Sequence, residues 1–177
     1  FFSRYISDIY NGRYSSSVAK LDLEGKNLWK SSSKEIGASK LLVKLNSAVI
    51  VGGYVSGVNE SMVGIIESYD HKEGKLLKTF SIKSDQGLNI FAASALRISA
   101  DVAYISFIEN GVGISKPTGT PIVRIISVDR DFRIREIAKI DLPNELLSGL
   151  LDTNMSLNPD GGIVISVNNR MPYNFDF

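Results

Sequence analysis

The chain has 177 residues, 44% hydrophobic and 22% charged, with twenty basic and nineteen acidic side chains and a formal charge of +1. That composition suits a single globular domain over residues 1–177 and offers no global field to draw in nucleic acid or an anionic membrane. Cysteine is absent, which removes disulfides, thiolate nucleophiles and cysteine-held metals, and no apolar run approaches the roughly 18 residues of a membrane-spanning helix.

The chain opens on FFSRYISDIY, without an initiator methionine and without the continuous apolar core and small-residue cleavage pattern of a secretory signal. Two readings stay open: a processed N-terminus, or a part of a longer polypeptide. The first clear element is VAKLDLEGKNLWK (18–30), two apolar runs around a Glu24-Gly25 turn. SAVIVGGYVSG (47–57) follows, β-branched and aromatic with glycines at its end, as a buried strand would be. IIESYDHKEGKLLKTFSI (65–82) repeats the hairpin around Glu73-Gly74, and DVAYISFIENG (101–111) repeats the buried strand. NGVGISKPTGTP (110–121) is an extended loop. IVRIISVDRDFRIREIAKI (122–140) is a third hairpin, turning at Arg130-Asp131. PNELLSGLLDTN (143–154) predicts one or two helical turns, with Pro143 near the start and Gly149 weakening the end. GGIVISVNNR (161–170) is a third strand of this half- or fully buried kind.

Hairpin and buried strand therefore alternate. Asp22, Asp70 and Asp129 each follow the first strand of a hairpin, spaced 48 and 59 positions apart. Val51, Ile105 and Ile165 are spaced 54 and 60 positions apart, and the long loop accounts for the drift. A period in the fifties with four short strands predicts an all-β fold of β-propeller-like blades of antiparallel strands, about three blade equivalents in an incomplete ring. A β-sandwich of similar strands is the alternative. On this reading the chain begins with an outer hairpin that lacks its inner strand.

KLDLEGKNLW (20–29) and VGGYV (51–55) carry a resemblance. They are similar to the outer hairpin and inner strand of the β-propeller repeats, about fifty residues long, of many archaeal and bacterial surface or secreted proteins. In the third unit, SVDRDFRIRE has neither the turn glycine nor the tryptophan. The resemblance implies a fold and an extracellular or cell-surface location, with a cytoplasmic one left open. It implies no single activity.

Few residues suggest chemistry. The three aspartates suit turn capping, and a ring of carboxylates around a cation is the competing use. His71, the only histidine, stands beside Asp70 in a turn; a Ser-His-Asp set could use it, but a solvated turn residue is the simpler reading. GVGISKPTGT (111–120) lacks the G-x-x-x-x-G-K-[ST] order of a phosphate loop, and as the longest loop it is the natural place for a partner to touch. Asp129-Arg130-Asp131 is a fragment of a calcium loop. Arg124, Arg130, Arg133, Arg135 and Lys139, interleaved with acids, read as edge protection rather than as a nucleic-acid surface. Asn59 and Asn154 head glycosylation sequons in expected loops. Trp29 reads as packing between blades.

No catalytic residue, cofactor or metal site is assigned. The leading expectation is a non-catalytic binding or assembly module with a protein or glycan partner, contacted through loops. A propeller-fold enzyme (hydrolase, lyase or quinone-dependent dehydrogenase) and a structural subunit of a filament or particle are the alternatives. A homo-oligomer, or the remainder of a longer chain, would complete the ring.

Overall fold

A computed structural model describes residues 2–8, 13–33, 35–55, 61–112 and 114–170. They form an all-β fold of four antiparallel sheets, none of which closes on itself. The first sheet joins β1 (Phe2–Asp8), β2 (Arg13–Leu21) and β3 (Asn27–Ser32). The second runs β4 (Ala38–Lys44), β5 (Ala48–Val55), β6 (Val63–Asp70) and β7 (Leu76–Ile82). The third runs β8 (Asn89–Arg97), β9 (Val102–Asn110), β10 (Ile122–Asp129) and β11 (Ile134–Asp141). The last pairs β12 (Leu150–Leu157) with β13 (Ile163–Arg170). Every strand pairs with its sequence neighbour, so each sheet is a simple meander. Among the described residues no helix is long and apolar enough to cross a membrane.

The outer hairpins turn as their aspartates dictate. Asp22 Oδ1 accepts the Lys26 amide at 2.8 Å. Asp70 Oδ1 accepts those of Lys72 and Glu73 at 2.8 and 2.7 Å, and Asp129 Oδ1 those of Asp131 and Arg133, both at 2.9 Å. Each turn then needs a residue at positive φ: Gly25 at 83°, Gly74 at 70°, and in the glycine-free third turn Phe132 at 61°. Phe132 accepts that backbone because its ring packs against the apolar layer between the second and third sheets.

Both faces of the second sheet are covered. Val49, Val51, Ile65 and Tyr69 pack with Val18 and Ile36 on the side of the first sheet. Ile50 and Ile66 meet Ile90, Ile105 and Phe107 of the third. Ala93, Ile108 and Val123 on the far face of the third sheet meet Leu151 and Val167 of the last. Strands β5 and β9 are thus buried on both sides, which is why they read as near-continuous apolar runs. Trp29 bridges the first two sheets as expected: its Nε1 donates to the His71 carbonyl at 3.2 Å, and its ring lies against Gly74.

Three expectations need correcting. Residues 143–154 hold only a 3-10 turn, Asn144–Leu146, and then strand β12, because Leu150 to Leu157 find a full antiparallel partner in β13. Asn154 accordingly lies exposed on a strand, opposite Ser166, rather than in a loop; Asn59 lies outside the described residues. The first hairpin does have a strand before it, β1, paired with β2 along its whole length.

The two turn glycines make a clean comparison. A Cβ on Gly25 meets nothing, so Gly25→Ala should cost only the left-handed backbone, about 1–2 kcal/mol. A Cβ on Gly74 would stand 2.5 Å from Trp29 Cδ2, so Gly74→Ala should cost clearly more. Urea midpoints of the two variants check the order.

Candidate functional site

The two ends of the sheets differ. At one end lie the tight turns, including those of Asp22, Asp70 and Asp129. At the other lie the connections between sheets and the loop 111–121. An asparagine pair organises this second end. Asn89 and Asn110 face each other across β8 and β9, and both are buried. Asn89 Oδ1 accepts the Met62 amide and its Nδ2 donates to the Val112 carbonyl, each at 2.6 Å. Asn110 Nδ2 donates to the Gly149 carbonyl at 2.9 Å, and its Oδ1 accepts the Val112 amide at 3.2 Å. Two side chains so fix three separate connections, since backbone groups that leave a sheet must find partners elsewhere.

The connections border an open cavity of about 220 Å³ lined, among the described residues, by Tyr54, Phe91, Asn110, Val112, Leu150 and Leu151. Tyr54 and Phe91 meet edge to face, with ring centroids 5.5 Å apart at 86°. Among the described residues no charged side chain lines it. The loop 111–121 is held beside it: Gln86 Oε1 accepts the Thr120 amide at 2.9 Å, and the Gly111 amide donates to the Leu147 carbonyl at 2.6 Å.

Two buried carboxylates stand between sheets. Glu67, fully buried on β6, accepts the Tyr69 hydroxyl at 2.5 Å and the Ser33 hydroxyl at 2.9 Å. Burial first, then this bond to Glu67, pushes the Tyr69 phenol far up and keeps it protonated. Glu109, fully buried on β9, accepts the Ser84 hydroxyl and the Arg124 Nε, the latter at 2.9 Å. Arg124 Nη2 lies 2.8 Å from the same carboxylate but off the line of a hydrogen bond, and Nη1 donates to Glu136 at 3.1 Å. Burial alone would lower the Arg124 pKa; the bonds to Glu109 and Glu136 outweigh it and raise it. A third polar cluster is a triangle of hydroxyls between the third and last sheets. Ser94 to Ser106 is 2.7 Å, Ser106 to Thr153 is 2.6 Å, and Ser94 to Thr153 is 3.0 Å.

The residues singled out from sequence are not brought together at the cavity. Asp22, Asp70 and Asp129 each serve their own turn. His71 sits at the tight-turn end, where desolvation, then the charges of Lys20 and Lys44, hold its imidazole below its ordinary pKa. Among the described residues no three His, Asp or Glu side chains gather to hold a metal. Arg124 departs from its expected place on an outer edge. It is buried and ion-paired, because β10 is the third strand of a four-stranded sheet; Arg130, Arg133, Arg135 and Lys139 are exposed. Sequence reasoning missed both glutamates and both asparagines. The signal for the glutamates was a lone acid inside an apolar strand, IIESY and SFIEN. Comparison with protein-family models, curated proteins and solved structures finds no match to the chain.

Removing Arg124 should expose how much Glu109 depends on it. Arg124→Met leaves a buried carboxylate without its cation and should cost about 3–5 kcal/mol in chemical denaturation. The double variant Arg124→Met/Glu109→Leu should recover most of that loss. Asp70 gives a pH signature. The amides of Glu73 and then Lys72 hold its carboxyl below the ordinary value, so its contribution is complete above the unfolded pKa of about 4 and is lost as pH falls through the lower folded value. Denaturation midpoints between pH 6 and pH 2.5 should fall, and Asp70→Asn should flatten that fall.

Proposed function

We propose that the four meanders are successive blades of a β-propeller, and that the protein is a non-catalytic binding or assembly module at the cell surface or outside the cell. Its long-loop end is the face that meets a protein or glycan. The observation that carries this reading is the inequality of the two ends. The tight-turn end spends its aspartates on holding hairpins, whereas the other end gathers the long connections around an open, uncharged cavity. Binding residues concentrate on loops held by a rigid scaffold, and the asparagine pair supplies the holding.

The blade reading is supported by two consecutive four-stranded meanders and by the contacts of their first strands, β4 with β8 and β8 with β12. The last sheet has first and second strands, and the first sheet has second, third and fourth, among the described residues. On this reading the missing places are filled by a second copy of the chain or by further residues of the polypeptide.

Arrays of glycans and peptides test the binding face. Saturable binding should weaken at least tenfold in Lys116→Glu, an exposed change in the loop 111–121, and persist in Asp129→Asn at the opposite end. Binding indifferent to Lys116→Glu, or turnover of glycoside, ester or uronate substrates by the purified protein, would overturn the reading.

A further inference from the structure

We propose that the cavity at the long-loop end takes one apolar side chain, of leucine or phenylalanine type, carried on a peptide backbone. This rests on the reading of that end as the binding face and names what the face recognises.

Size sets the first limit. About 220 Å³ falls below the ~300–1,000 Å³ of pockets that enclose a whole drug-sized ligand, and suits a single side chain. The lining sets the second. Five of the six residues are aliphatic or aromatic, and the sixth, Asn110, has its amide donor on Gly149 and its oxygen on Val112. A sugar ring needs several free polar groups converging on it, and the amide of Asn110, partly spent on Gly149 and Val112, is too little for that. Among the described residues an acidic or basic ligand finds no countercharge in the lining. Leu150, 47% exposed on the cavity wall, leaves apolar area that an apolar occupant would remove from water at about 25 cal/mol per Å². The edge-to-face pair of Tyr54 and Phe91 presents a rigid wall that loses little entropy when covered.

The cavity also joins three sheets: the second through the end of β5, the third through the start of β8 and the end of β9, and the last through the start of β12. An occupant touching all three would bind only the assembled sheets, which makes binding a reporter of the assembly.

Methyl-resolved NMR of the intact chain provides the test, with N-acetyl-leucine methylamide, N-acetyl-glycine methylamide and N-acetylglucosamine as probes. The leucine derivative should shift the methyl signals of Val112, Leu150 and Leu151 saturably in the millimolar range, and the glycine derivative should not. Leu150→Asp, a change at an exposed position, should weaken the leucine derivative at least tenfold while leaving the methyl signals of the sheet interiors in place. Shifts with N-acetylglucosamine and none with the leucine derivative would overturn the peptide side chain as ligand while leaving the binding face intact. No shift with any probe would overturn the cavity as a site, and the array experiment then decides the binding face separately.

Discussion

A chain that crosses from one sheet to the next must leave the hydrogen-bond ladder, and the amides of the crossing need acceptors that the ladder no longer supplies. Two crossings solve this with the same hydroxyl arrangement. Between the first and second sheets, Ser33 Oγ accepts the amides of Glu35 and Ile36 and donates to buried Glu67. Between the second and third, Ser84 Oγ accepts the amides of Gln86 and Leu88 and donates to buried Glu109. Each serine thereby turns the crossing and pins it to the sheet it leads into. Ile36 and Leu88, a few residues on, are then carried into the core with 2% and 1% of their surface exposed. The spacing of the sheets, and with it the cavity wall formed by Tyr54 and Phe91, depends on these two anchors.

The anchors differ in how the carboxylate is kept. Glu67 has two hydroxyl donors, Ser33 and Tyr69. Glu109 has a hydroxyl and the guanidinium of Arg124, itself shared with Glu136. Losing either member would leave an unmatched buried charge, which is costly, so the ion pair fixes how β9, β10 and β11 sit together. They are also not at equivalent places: Glu67 is on the third strand of its sheet and Glu109 on the second. The crossing into the last sheet uses neither solution. There a 3-10 turn and the Asn110 bond to Gly149 do the positioning, and the last sheet has no buried acid.

The all-β character and the turns were legible in the residues because both rest on local rules. Alternating β-branched runs and an aspartate followed by glycine state a hairpin almost independently of context, as at Asp22-Gly25 and Asp70-Gly74. The first strands of the sheets were not legible. NIFAASALR of β8 is rich in alanine and is broken by a bulge between Ala92 and Ser94. Its small side chains answer to the neighbouring first strands, β4 and β12, which it meets at close quarters. That demand comes from residues about fifty to sixty positions away, so no window along the sequence displays it. The cavity was invisible for the same reason: its lining comes from β5, β8, β9 and β12, and only folding brings them together.

The triangle of Ser94, Ser106 and Thr153 sits where two sheets could otherwise slide. Apolar layers tolerate small translations, because dispersion depends weakly on register. A cluster of hydroxyls does not, since a shift of one residue breaks both bonds to Thr153 at once and leaves only the Ser94–Ser106 bond inside the third sheet. Among the described residues the last sheet has two strands, and the bonds to Thr153 hold it in register against the third sheet. Its release from the third sheet should therefore be an all-or-none opening, a cooperative unit in hydrogen exchange rather than a gradual fraying from β13 inward.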